Sequence, residues 1–441
     1  MSPPVAIVEW AALAPEDRRA ALRRPAQADV QGLHEKVRGI IQDVRVRGDA
    51  ALLDYTRRFD GVASSTLEVG AAEFAAAERA LSAQQRQALD RAISNVRKFH
   101  EAQVSDPIRV ETSTGVVCER QFRPIESVGL YVPAGTAPLP STAVMLAVPA
   151  RIAGCPTKIL CTPPRADGTA DPAVLMVANL CGVDRVFKVG GAQAVAAMAY
   201  GTSSVPKVDK IFGPGNAWVT AAKQLAANDP DGAALDLPAG PSEVLIIGDG
   251  TVSAEFAAAD LLAQAEHSAD AQAMLVTTAR ELAQATLQQL ERQMQRLARL
   301  HTLRQSIRHA RIFCVESLDA AFDLSNAYAP EHLILQIANA RAWLPKVRNA
   351  GSVFLGTWTP ETMGDYCSGT NHVLPTYGYA RAYSGLSLGD FMKRLTIQEL
   401  TADGLRDLGP TAMTIAAMEG LDAHANAVSI RLAHLERGSA Q

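Results

Sequence analysis

Val128-Gly-Leu-Tyr131-Val-Pro-Ala-Gly135 is a short apolar run that stops in a Pro/Gly turn. The same phrasing returns at Lys188-Val-Gly190-Gly191-Ala-Gln193 and at Ile211-Phe-Gly213-Pro-Gly215-Asn216-Ala-Trp218. Each run is followed by an Ala-rich stretch with helical spacing. Working outward, the same alternation places strands at 127–132, 158–161, 185–189, 210–212, 244–247, 273–277, 311–315, 332–336 and 352–355. Strand and helix in alternation predict parallel sheets covered on both faces. Nine strands exceed one comfortable sheet, so the expectation is two α/β domains. Residues up to about 105 read as helical, with Leu33, Val37, Ile40, Ile41 and Val44 as one apolar stripe.

The totals bound the function. Of 441 residues, 48% are hydrophobic and 20% charged, ordinary for a globular protein. A net charge of −4 gives no reason to expect nucleic acid or an anionic membrane as partner. No apolar run approaches the ~20 residues that span a bilayer. The N-terminus lacks a basic segment followed by an apolar one, so no secretory signal is expected and the cytoplasm is the expected compartment. The six cysteines include no C-x-x-C pair, which argues against a disulfide scaffold and a thiolate zinc site.

Strand ends are where ligands sit in such folds. The three glycine loops each carry one side chain able to hold a ribose, amide or base: Tyr131, Gln193 and Asn216. They read equally as tight strand-to-helix turns. The dinucleotide fingerprint is incomplete, because Trp218 stands where the third glycine belongs. Further on, Asp260-Leu-Leu-Ala-Gln264-Ala-Glu-His267 reads as a helix with Gln264 and His267 on one face. That pair is the start of a metal site or a solvated helix end. In Tyr328-Ala-Pro330-Glu331-His332, the proline predicts an extended Ala329 and stops the preceding helix. Glu331 and His332 then stand at a strand entrance as two proton acceptors, or as a surface acid and a satisfied imidazole. Gly364-Asp365 through Asn371-His372-Val-Leu-Pro375 is a loop that carries an Asp and a His. The piece after about Asp390 reads as helices, with Glu419 and His424 near a break at Gly420.

Together, these segments resemble the histidinol dehydrogenases. The likeness runs from about residue 30 to about 430. It rests on 128–135, Phe212-Gly-Pro-Gly-Asn216, Ala239-Gly-Pro-Ser-Glu243, Gln264-Ala-Glu-His267, Ala329-Pro-Glu-His332, Gly364-Asp365, Asn371 through Pro375, and Glu419-Gly-Leu-Asp-Ala-His424. The resemblance implies one zinc ion per subunit, held by Gln264, His267, Asp365 and His424. It implies Glu331 and His332 as proton acceptors, and NAD contacts from Tyr131, Gln193 and Asn216. Ser242, His332, His372 and Glu419 would join the metal ligands around L-histidinol, which is oxidised by four electrons to L-histidine. The implied fold is α/β: two incomplete Rossmann-like domains with parallel sheets, plus small helical N- and C-terminal segments exchanged in a homodimer with composite active sites. The expected division is a 1–25 extension, a larger domain of 26–134 and 243–386, a cofactor-side domain of 135–242, and a C-terminal helical segment of 387–441. The chemistry leaves two rivals open: an aldehyde dehydrogenase using a cysteine, and a zinc hydrolase.

Overall fold

The computed structural model describes residues 5–25, 30–134, 137–238 and 240–438. Gly135 and Ala239, each in one of the quoted motifs, lie outside the described residues, as do the segment starts expected at 1, 26 and 135. The chain divides into two compact units: Met1–Gln103 with Ile125–Phe391, and Val104–Pro124 with Met392–Gln441.

The first unit holds two parallel sheets. One has six strands in the order Ala6–Glu9, Arg311–Cys314, Gln272–Thr277, Glu243–Gly248, His332–Gln336, Ser352–Leu355. The other has five, in the order Arg185–Lys188, Thr157–Thr162, Ser127–Tyr131, Lys210–Phe212, Ala234–Leu235. All nine strands read from the sequence are present, each end within one residue or so of its expected place. The reason is burial on both faces. Val244 and Ile246 pack into the core on one side of the six-stranded sheet, Leu245 and Ile247 into the core on the other. Such strands read as unbroken apolar runs.

Other expectations give way. The N-terminal segment is not wholly helical: Ala6–Glu9 is an edge strand paired in parallel with the chain's own Arg311–Cys314. Ser127–Tyr131 belongs to the five-stranded sheet, and helix Val30–Arg47 packs on that sheet's helices through Val37, Ile41 and Val44. That places residues N-terminal to 135 with the sheet expected to begin there.

In the second unit, a three-stranded antiparallel sheet orders Met392–Leu400, Val116–Pro124 and Ile108–Ser113. The C-terminal segment, read as helical, therefore opens with a nine-residue strand. Met392–Leu400 is largely exposed and mixes Lys, Arg, Thr, Gln and Glu with its apolar residues, so no apolar run marks it. Helices Ala402–Met418 and Asp422–Gly438 follow, and Gly409 lets Val428 and Leu432 come close. No described helix is long and apolar enough to cross a membrane.

One buried acid makes the fold pH-sensitive. Asp260, on helix Ala254–Ala265, is 6% exposed and accepts a 2.5 Å hydrogen bond from Gln336. Burial pushes its carboxyl up to about 7, so the folded chain favours the protonated form. Its contribution to stability is full below the unfolded value of ~4 and is lost as pH rises through about 7. Asp260→Asn keeps the partner of Gln336 and removes the titration. Thermal melts at about pH 5 and about pH 8 should show the wild type losing about 2–3 kcal/mol relative to the variant; parallel profiles would contradict this.

Candidate active site

Each sheet reverses its strand order at one point. The five-stranded sheet does so between Ser127–Tyr131 and Lys210–Phe212, and the six-stranded sheet between Glu243–Gly248 and His332–Gln336. At the first reversal the carboxyl ends carry the glycine loops. Gly213 has φ 124°, and a Cβ there would stand 2.1 Å from the Tyr131 carbonyl oxygen, so only glycine fits. Its N–H donates to Asp236 and its carbonyl accepts from the buried Lys223, which pairs with Asp236. Tyr131 is buried, and its hydroxyl accepts from the Gly191 N–H at 3.0 Å. Gln193 is 2% exposed. Asn216 is exposed and caps helix Ala217–Ala227, its side-chain oxygen accepting from Trp218 and Val219 N–H.

At the second reversal the groups lie at the amino ends instead. His332 opens its strand beside Val244, and Glu331 precedes it. The His332 Nδ1–H donates to the Glu243 carbonyl at 3.0 Å. Nε2 is buried, has no hydrogen-bond partner, and lies 3.5 Å from Asp365 Oδ1. Burial works against a charged His332. Glu361, Glu331 and Asp365 outweigh it and lift the imidazole well above its usual value. Glu331 Oε2 accepts from the Ser242 hydroxyl at 2.6 Å and the Glu243 N–H at 2.7 Å. Burial nonetheless pushes its carboxyl up to about 7.

Helix Glu361–Tyr366 brings the acids. Asp365 Oδ2 is 3.8 Å from His267 Nε2. Burial would raise the Asp365 carboxyl, but His332, with His372 and His267 nearby, holds it below the usual range. His267 keeps 40% of its side chain exposed at the rim, while the protein around it lowers its pKa by desolvation. One of its ring nitrogens, a Glu361 oxygen and an Asp365 oxygen fall within 4.8 Å of one another. Gln264 is fully buried, with neither its oxygen nor its nitrogen partnered. His372 donates from Nδ1 to the Asp365 carbonyl at 2.7 Å, and the Thr142 hydroxyl meets its Nε2 at 3.1 Å. Nitrogen and oxygen donors with unpaired, buried members could hold a divalent cation.

The profile of the histidinol dehydrogenase family matches residues 23–432. The chain belongs to that family. A histidinol dehydrogenase from Xanthomonas oryzae pv. oryzae is 55% identical over 426 residues, 97% of this chain and 99% of the relative. One from Vibrio parahaemolyticus is 54% identical over 428 residues, 97% and 98% respectively. The crystal structure of the Elizabethkingia anophelis histidinol dehydrogenase superposes with a TM-score of 0.92 at 45% identity, covering 98% of both chains. This histidinol dehydrogenase family member is thus an oxidoreductase of histidine biosynthesis that oxidises histidinol.

Of the residues expected to act, Ser242, Glu331, His332, Asp365, His267 and His372 form one connected cluster, and Gln264 lies on the helix that leads to His267. Glu419 and His424 belong to the second unit, both exposed. Three participants escaped the sequence reading. Thr142 and Arg24 lack any local motif. Glu361 had a signal: it stands four residues before Asp365 in a Pro360-initiated helix, on the same face.

Arg24 explains a further departure. Ala329 is not extended but left-handed, at φ 56°. Arg24 donates to the Tyr328 and Ala329 carbonyls, stacks 4.0 Å over the Tyr328 ring and grips Glu243 with two nitrogens. Arg24→Met should leave Glu243 unpaired and release the turn before Glu331. Denaturant unfolding should register a loss of about 3–5 kcal/mol, as for other broken buried pairs; a change below about 1 kcal/mol would rule out the clamp.

Proposed function

We propose that the chain carries out a zinc-dependent, NAD-dependent, four-electron oxidation of L-histidinol to L-histidine through the aldehyde. The observation that supports it most is the buried, unpartnered Nε2 of His332, 3.5 Å from Asp365 Oδ1, on a ring whose Nδ1 lies 3.5 Å from Glu331. Tyr131, Gln193 and Asn216 would hold NAD, which would supply the hydride acceptor for both oxidations. Gln264, His267, Asp365 and His424 would hold zinc, which would supply a positive charge that anchors the substrate and offsets the carboxylates around His332.

The chain's own groups divide the proton work. In the first oxidation His332 Nε2 receives the hydroxyl proton, leaving the aldehyde. Water then adds to the aldehyde carbon, and Glu331 takes its proton. In the second oxidation His332, having given its first proton to solvent, receives the remaining hydroxyl proton, and the carboxylate of histidine results. A carboxyl raised to about 7 suits a base at neutral pH. Glu331 reads as a base rather than an orienter, because His332 Nδ1 is already held by the Glu243 carbonyl, with Glu331 at 3.5 Å. Ser242 and His372 line the substrate's side of the cluster. The cysteine rival fares poorly at the buried sites, where desolvation pushes the thiols of Cys155 and Cys181 up to about 11 and that of Cys161 up to about 12.

Glu419 and His424 would come from a partner subunit of a homodimer. Met418, Ile415 and Leu421, exposed beside them, make an apolar surface that such an interface would cover.

Turnover should yield two NADH per L-histidinol. His332→Asn should slow both oxidations by ~10²–10⁴-fold, whereas Glu331→Gln should spare alcohol oxidation and slow aldehyde oxidation. Loss of only the alcohol step in Glu331→Gln would reverse the assignment. Mixed and reassembled His332→Asn and His424→Asn chains should recover about a quarter of the wild-type sites, since half the dimers then hold one intact site. No recovery would sink the composite site.

A further inference from the structure

We propose that Glu361 is a cation-binding residue of this site, facing either the bound metal ion or the ammonium group of the amino-alcohol substrate. The inference rests on the reading of the site given above. Glu361 is 1% exposed, and neither of its oxygens has a hydrogen-bond partner. Its neighbours are provided for. Glu243 has Arg24 and the Tyr377 N–H, Glu331 has Ser242 and the Glu243 N–H, and Asp260 has Gln336. His332 does not serve Glu361: its Nδ1 is 3.8 Å away and directs its proton to the Glu243 carbonyl.

A buried carboxylate without partners is expensive, and protonating it leaves an O–H and a carbonyl oxygen that still need partners. A positive charge placed against it removes the deficit. The geometry says where. Glu361 and Asp365 lie on one face of a short helix, and an oxygen from each falls within 4.8 Å of the other and of a His267 ring nitrogen. Ligands at ~2.0–2.2 Å from one zinc ion span a comparable distance. The orphaned Gln264 is a second, independent sign that something is to be bound here.

Glu361→Gln keeps the shape and removes the charge. Metal affinity is measured by chelator competition without substrate. Calorimetry on metal-loaded enzyme without NAD compares L-histidinol with its analogue lacking the amine. A fall of about 10–100-fold in metal affinity identifies the ion as the cation. A similar fall confined to the amine-bearing ligand, with metal affinity kept, identifies the ammonium. Wild-type affinity in both arms overturns the proposal. Thermal melting verifies folding, and Glu361→Asp, which withdraws the carboxylate by one methylene, takes over if the glutamine variant does not fold. Asp365→Asn serves as the reference. If it binds metal as tightly as the wild type, the reading of the site itself fails. If it loses metal while Glu361→Gln does not change in either arm, only the present inference fails.

Discussion

Glu243 holds Glu331 and His332 with its backbone and is itself held by its side chain. Its N–H goes to Glu331 and its carbonyl takes the proton of His332 Nδ1. Its carboxylate is gripped by Arg24 and by the Tyr377 N–H. The residue is 1% exposed. A buried ion pair seldom adds much net stability, because desolvating two charges offsets their attraction. What it supplies here is position. Arg24 also takes the carbonyls of Tyr328 and Ala329, so one guanidinium joins the strand that begins at Glu243 to the turn that delivers Glu331. A left-handed alanine costs of the order of 1–3 kcal/mol and persists where its surroundings over-determine it. Those surroundings are this clamp.

The two groups of predicted site residues lie at opposite edges of their sheets. The five-stranded sheet offers its carboxyl edge at the strand reversal, the usual ligand crevice of open α/β sheets. The six-stranded sheet uses its amino edge, where Glu243 and His332 start their strands. The two are tied by short bonds. Thr142, in the helix after strand Ser127–Tyr131, meets His372, and Asn371 donates to the Met145 carbonyl in the same helix. Gly240 donates to Thr376, and a Cβ on it would strike the Tyr377 ring at 2.0 Å, so the linker must be glycine there. Residues 364–377 therefore act as the seam between the sheets.

What could be read from the sequence follows from burial. Strands covered on both faces leave continuous apolar runs, and every one of these was found. Ile108–Ser113 and Met392–Leu400 are mostly exposed, carry charges along their length and were missed. Loop residues joined to chemistry by type, such as Asp365 and His372, stood out because Gly- and Asn-rich segments rarely need them for packing. Arg24 did not, since its partners lie 219 and 304 residues away and no local pattern records them. The left-handed Ala329 was illegible for the same reason. Proline biases the preceding residue toward extended backbone; at Ala329 the bonds from a distant guanidinium accompany a left-handed turn instead.

The charge pattern around His332 is the last consequence of this arrangement. Glu331, Glu361 and Asp365 surround one imidazole in the interior, with Gln264 on the neighbouring helix contributing dipoles but no charge. Three acids against one base is an imbalance that a low-dielectric interior tolerates only by suppressing ionisation or by admitting positive charge. Suppression is visible at Glu331, raised to about 7, and at Glu361, which burial lifts well above the usual carboxylate range. It is absent at Asp365, which stays below the usual carboxylate range. Asp365 is therefore the anion the cluster keeps, at the end nearest His267 and the solvent-open rim. Glu331, at the other end among backbone donors, keeps its ability to gain and lose a proton near neutrality. A single cluster thus holds one carboxyl below its usual range and another above it, on either side of one histidine ring.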